Sequence, residues 1–189
     1  MLKRFPISTL PLLLSWLLLC ASAPLEAADR VEEESLLKAA FVFNFAKYVH
    51  WPEGMRKDKV IHLCLAGDDN IFGALKRLQG ERVRGADVII HPIDETLPAA
   101  GCDILFLGVS ERHRLHLLLD PLGTRPILTI SDIPRFAELG GIISLYWEGK
   151  KVRFAINLQA ARRAGLRISS RLLNLARIVE ETDKSATVE

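Results

Sequence analysis

The sequence lacks a surplus of charge of either sign. Lysine and arginine number 25 against 23 aspartates and glutamates, a formal charge of +2. A near-neutral chain has no basic footprint for nucleic acid, so no nucleic-acid partner is expected. It also lacks phosphate-cradling loops, because neither G-x-G-x-x-G nor G-x-x-x-x-G-K-[ST] occurs. There is no G-x-S-x-G elbow to expose a serine nucleophile. Beyond the first twenty residues no apolar run is long enough to cross a bilayer. Internal repeats, low-complexity tracts and linkers are absent too. These gaps argue against an enzyme, and no catalytic, metal-binding or cofactor-binding set is expected.

What is present begins with an export signal. Lys3 and Arg4 precede the apolar run Leu10 to Leu19, and small residues follow. That is the pattern of a secretory leader. Pro24 spoils cleavage at Ala21-Ser22-Ala23, so cleavage is expected after Ala27. Residues 1–27 then form a signal peptide and 28–189 a single domain in the bacterial periplasm. Lipidation at Cys20 is not expected, because Leu19 stands where a small residue is required. Cys64 and Cys102 remain. In an oxidising compartment they fit a disulfide better than a metal site, with two separate core thiols as the plainer alternative.

Strands and helices then alternate. Val31 to Val49 reads as a helix with Glu32, Glu33 and Glu34 in its first turn, where negative charge suits the dipole. Leu37, Phe41, Asn44 and Tyr48 share a stripe, but Phe43 and Phe45 leave it, so the segment is apolar nearly all round. Such a helix is either buried on two sides or faces a partner. Strands are expected at Val60 to Ala66, Ala86 to Ile93, Asp103 to Gly108 and Ile127 to Ile130. Helices are expected up to Leu78, from Glu111 to Leu119 with Ser110 as cap, and briefly after Ser131. Ile142 to Trp147 and Lys151 to Asn157 flank Glu148-Gly149-Lys150 as a hairpin. Asn157 caps a helix to Ala164, Gly165 stops it, and Ser169 or Ser170 opens a last helix. In that helix Leu172, Leu175, Ala176 and Val179 would share one face. The fold class is α/β: a mostly parallel central sheet flanked by helices on both faces, with a C-terminal β-hairpin and closing helix.

Two regions invite a functional reading. Arg162, Arg163, Arg167 and Arg171 crowd near the C-terminus with no nucleophile among them, which suits holding a partner. Of these, Arg163 and Arg167 join Tyr48, Trp51, Leu166 and Ile168 as the expected partner patch, with the aromatic and arginine anchors typical of an interface. The second region combines the carboxylates Asp68 and Asp69, just beyond a strand end, with Ser131 and Asp132. Ligands of α/β sheets sit beyond strand ends, although helix capping and a crossover turn explain the same residues. His113 and His116 lie three apart, but Arg112 and Arg114 beside them oppose a metal.

Five blocks carry a family resemblance. They are K-A-A-F-V-F-N-F-A-K-Y-V-H-W-P from Lys38, C-L-A-G-D-D from Cys64, G-C-D-I-L-F-L from Gly101, L-T-I-S-D-I-P-R-F-A from Leu128, and F-A-I-N-L-Q-A-A-R-R-A-G-L-R-I-S-S-R-L-L-N-L-A from Phe154. Together they resemble the YfiR family. The resemblance implies a small exported α/β repressor that binds the periplasmic domain of a YfiN-like inner-membrane diguanylate cyclase and lowers cyclic-di-GMP synthesis, hence biofilm formation. It also implies release through a YfiB-like outer-membrane lipoprotein, and a disulfide between Cys64 and Cys102. A second cysteine pair found in some members is missing here. The alternative is a periplasmic small-molecule sensor acting on a different receptor, and a homodimer is left open. Mass spectrometry of the exported protein is expected to find Ala28 at its N-terminus; a diacylglyceryl-modified Cys20 would overturn the leader assignment.

Overall fold

The computed structural model describes residues 23–54, 59–67, 69–93 and 101–182, with side chains described from residue 30 onward. Most of the expected leader, including Cys20, lies outside the described residues, as does Asp68. Among the described residues no helix is long and apolar enough to cross a membrane.

Helix α1 (Ala23–Tyr48) runs into the two-residue strand β1 (Val49–His50). Then follow β2 (Val60–Ala66), α2 (Ile71–Lys76), β3 (Arg82–Val83), β4 (Ala86–Pro92) and β5 (Ile104–Leu107). A 3₁₀ segment leads to α3 (Leu115–Leu119), after which come β6 (Leu128–Ser131), β7 (Ile143–Glu148) and β8 (Lys151–Asn157). The chain finishes with α4 (Leu158–Arg163), β9 (Arg167–Ile168), α5 (Ser170–Leu173) and β10 (Arg177–Val179).

Eight strands form one sheet in the order β10-β8-β7-β6-β5-β2-β4-β3. The run β4, β2, β5, β6, β7 is parallel throughout. β5 and β6 are buried at every residue, as parallel strands covered on two faces must be. The two faces hold separate apolar clusters. α1, α2 and Phe106 belong to one, whereas Leu105, Leu107, Leu115 and Phe136 belong to the other. The α/β architecture with helices on both faces is therefore present.

α1 is a core helix. Its buried stripe is Ser35, Ala39, Val42 and Ala46, together with Phe45 and continued by Val49 of β1, not the expected Leu37-Phe41-Asn44-Tyr48 line. Leu37 and Asn44 are exposed. Phe45 meets Phe154 of β8 edge-on with ring centroids 5.0 Å apart. Packing against both the sheet and α2 explains why the segment is apolar nearly all round.

Three other expectations need correction. The helix expected from Glu111 begins as a 3₁₀ segment, Val109–Arg114, and Gly108 rather than Ser110 holds the cap position. Gly67 approaches so closely here that a Cβ on it would fall 2.4 Å from Ser110 Oγ. The stretch after Ser131 forms turns instead of a helix. There Ser131 Oγ takes the Ile133 N–H, Ser144 Oγ takes the Ala137 N–H, and Arg135 adopts φ +62°. Backbone donors engaged by side chains do not build a helical ladder. Finally, the last helix is only Ser170–Leu173, capped by Ser169, and Arg177–Val179 is a strand beside β8. Leu175 is accordingly 72% exposed and not on a packed face.

Cys64 of β2 is disulfide-bonded to Cys102, with Cα atoms 5.8 Å apart. The bridge pins the chain returning from β4 onto the strand it must join, with a sequence separation of 38. Chain-entropy reasoning gives such a link about 4 kcal/mol. In the exported chain lacking residues 1–27, the Cys64→Ala/Cys102→Ala double variant is therefore expected to unfold at clearly lower urea than the parent, and the denatured parent to show no free thiol. Equal midpoints, or two free thiols, would contradict this.

Candidate functional site

The residues singled out by sequence collect at opposite ends of the parallel strands. At the amino ends, β1 and β9 pair antiparallel, with Val49 opposite Ile168 and His50 opposite Arg167. The Ser169 N–H extends this ladder to the Tyr48 carbonyl at 2.9 Å. Two segments more than a hundred residues apart are thereby joined, and Tyr48, Trp51, Leu166, Arg167 and Ile168 form one neighbourhood.

Their roles within it differ. Trp51 is buried, and its Nε1 donates to the Asp103 carbonyl at 3.3 Å, just ahead of β5. Leu166 is 2% exposed. Neither presents a free side chain to a partner, so both are supports rather than the contact anchors expected. Arg167 is exposed and makes no ion pair among the described residues, while Tyr48 and Ile168 are half-buried. Arg163 is exposed but engaged, since its Nη2 lies 2.5 Å from Glu181 Oε2. It lines a separate groove with Arg112, Arg125 and Arg135.

β10 adds a feature that the sequence reading missed. It is the last strand of the sheet among the described residues, and none of these places a strand on its outer side. Ile178 within it is 49% exposed, and Leu175 just before it 72%. An open strand with exposed apolar side chains is a natural place for a second chain to dock. The sequence signal was present as R-I-V, but the same residues also satisfied a helical spacing.

At the carboxyl ends a cavity of about 470 Å³ opens beyond β2, β5 and β6. Asp69, Asn70, Ile71, Val109 and Asp132 line it from the strand ends, and Val31, Glu34, Ser35 and Lys38 from α1. Asp69 is held by the fold, with Oδ1 accepting from the Ile71 N–H at 3.2 Å and Oδ2 from the Val109 N–H at 3.1 Å. Ser131 is fully buried below it and donates to the Leu107 carbonyl, so it is a structural member of the loop. Asp132 Oδ2 lies 2.5 Å from Lys38 Nζ, while its Oδ1 is buried with no hydrogen-bond partner among the described residues. Lys38 was not anticipated here. Its only sequence cue is a lysine one helical turn after Glu34, at the edge of an apolar run.

The histidines are otherwise accounted for. His62 Nδ1 and His91 Nε2 lie 2.9 Å apart on adjacent strands, and His113 and His116 are exposed. Among the described residues no three His, Cys, Asp or Glu side chains converge as metal ligands. Compared with known families, residues 35–177 match the YfiR/HmsC-like family model, from the buried Ser35 of α1 to the first residue of β10.

Proposed function

The chain belongs to the YfiR/HmsC-like family, and on that premise we propose that it is a periplasmic regulatory binding protein that represses an inner-membrane diguanylate cyclase by contact. In this reading residues 1–27 are the export leader and 28–189 the working domain. The cyclase's periplasmic domain is the partner, and capture by an outer-membrane lipoprotein is the release step. Cyclic-di-GMP output falls without any chemistry on nucleotide by this chain.

The family match over residues 35–177 carries the reading. The surface supports it. Arg167 is exposed, with its backbone held in the β1–β9 ladder, and arginine is a favoured interface anchor. Leu175 and Ile178 add exposed apolar area along an open strand. Tyr48 and Ile168 extend the patch, while Trp51 and Leu166 hold it from beneath.

Binding of the purified chain to the cyclase's periplasmic domain tests this directly. Arg167→Glu and Leu175→Ser/Ile178→Ser are each expected to weaken binding about tenfold or more while leaving the melting temperature unchanged. Leu166→Ala should instead lower stability by about 2–5 kcal/mol, as expected for a buried leucine. Unchanged affinity in both surface variants would remove the patch.

A further inference from the structure

The strand order contains a reversal. From β2 the chain moves outward to β4, then returns to place β5 on the other side of β2. The helices that follow diverge accordingly: α2 packs in the cluster with α1, and Leu115 of α3 in the opposite one. Loops that leave a parallel sheet in opposite directions open a crevice at its carboxyl end, where ligands of open α/β sheets bind. The cavity beyond β2, β5 and β6 is that crevice, and its volume of about 470 Å³ lies within the roughly 300–1,000 Å³ of small-molecule sites.

The lining indicates what would fit. Among the described lining residues Glu34, Asp69 and Asp132 face one cation, Lys38, a formal surplus of two negative charges. The fold occupies both oxygens of Asp69 with backbone N–H groups. Asp132 is different: its side chain is 8% exposed, one oxygen pairs with Lys38, and the other has no donor among the described residues. A buried carboxylate oxygen without a donor bears its desolvation uncompensated. The terminal torsion of aspartate is broad, so the group can turn either oxygen toward the cavity without moving the backbone. Val31, Ile71 and Val109 supply apolar wall beside these charges.

We propose that this crevice binds a small organic cation through a primary ammonium group. The ammonium donates to Asp132 and Glu34, and its methylenes lie against Val31, Ile71 and Val109. Two sources share this chemistry, a diamine and a basic amino acid. In the second case Lys38 also meets the ligand's carboxylate. The site lies at the opposite end of the sheet from the Arg167 patch and stands apart from the cyclase reading.

Titration calorimetry on the chain as exported, with 1,4-diaminobutane, L-lysine and the uncharged 1,4-butanediol, tests the proposal. One amine or both should bind with one-to-one stoichiometry and the diol should not. Preference between the amines names the source. Asp132→Asn should weaken binding about tenfold or more. That variant also loses the Lys38 pair, so Glu34→Gln, at an exposed position, serves as a second probe with an expected loss of about threefold. In amide NMR spectra the amines should shift Asn70 and Val109. Absence of heat and shifts with both amines, equal binding by the diol, or shifts confined to other surfaces would overturn the proposal. The assay contains no cyclase, so a failed partner contact leaves its outcome readable.

Discussion

Asn157 is fully buried, and both ends of its side-chain amide are engaged. Oδ1 accepts from the Ala160 N–H at 2.8 Å and caps α4, while Nδ2 donates to the Ala137 carbonyl at 2.9 Å. Its own backbone N–H reaches the Ile142 carbonyl. One residue at the end of β8 thus sets the start of α4, the inner side of the 131–141 turns and the return into β7. A buried amide stripped of such partners costs about 1–3 kcal/mol, so the three segments stand or fall together. Gly141 shows how tightly they meet, since a Cβ there would lie 2.1 Å from the Phe136 ring.

Both candidate sites depend on this junction. Asp132 opens the turns that Asn157 holds, and Arg167 follows the helix that Asn157 caps. α1 connects the two ends of the sheet. Lys38 borders the cavity and Tyr48 borders the β1–β9 ladder, ten helical residues apart or about 15 Å. Between them Phe45 and Val42 are packed into the core, so the helix is a stiff connection and not a loose strap. The disulfide makes a similar contribution on the opposite face of the sheet, by tying the chain just ahead of β5 to β2 where the strand order reverses.

The parallel strands were legible because V-I-H-L-C-L-A and D-I-L-F-L-G are mostly apolar on both faces, as suits strands of a sheet covered on two sides. The hairpin, the Asn157 cap and the Gly165 stop were legible because local chemistry decides them. What the sequence hid was tertiary. R-I-V at 177–179 satisfies a helical spacing and a short strand equally, and only the free edge of β8 selects the strand. Trp51 resembles a contact anchor until the Asp103 carbonyl is seen to hold its indole. Lys38 and Asp132 are 94 positions apart, and no local pattern announces their pairing. The gathering of Tyr48 with Arg167 and Ile168 was expected, but the two-residue ladder that produces it is too short to read from sequence.

The central claim is that this chain silences a cyclase by contact. Intracellular cyclic-di-GMP in the native host tests it most directly, measured with the gene deleted and with either the parent or Arg167→Glu restored. The account predicts a rise on deletion, reversed by the parent and not by Arg167→Glu. An unchanged level on deletion would contradict it.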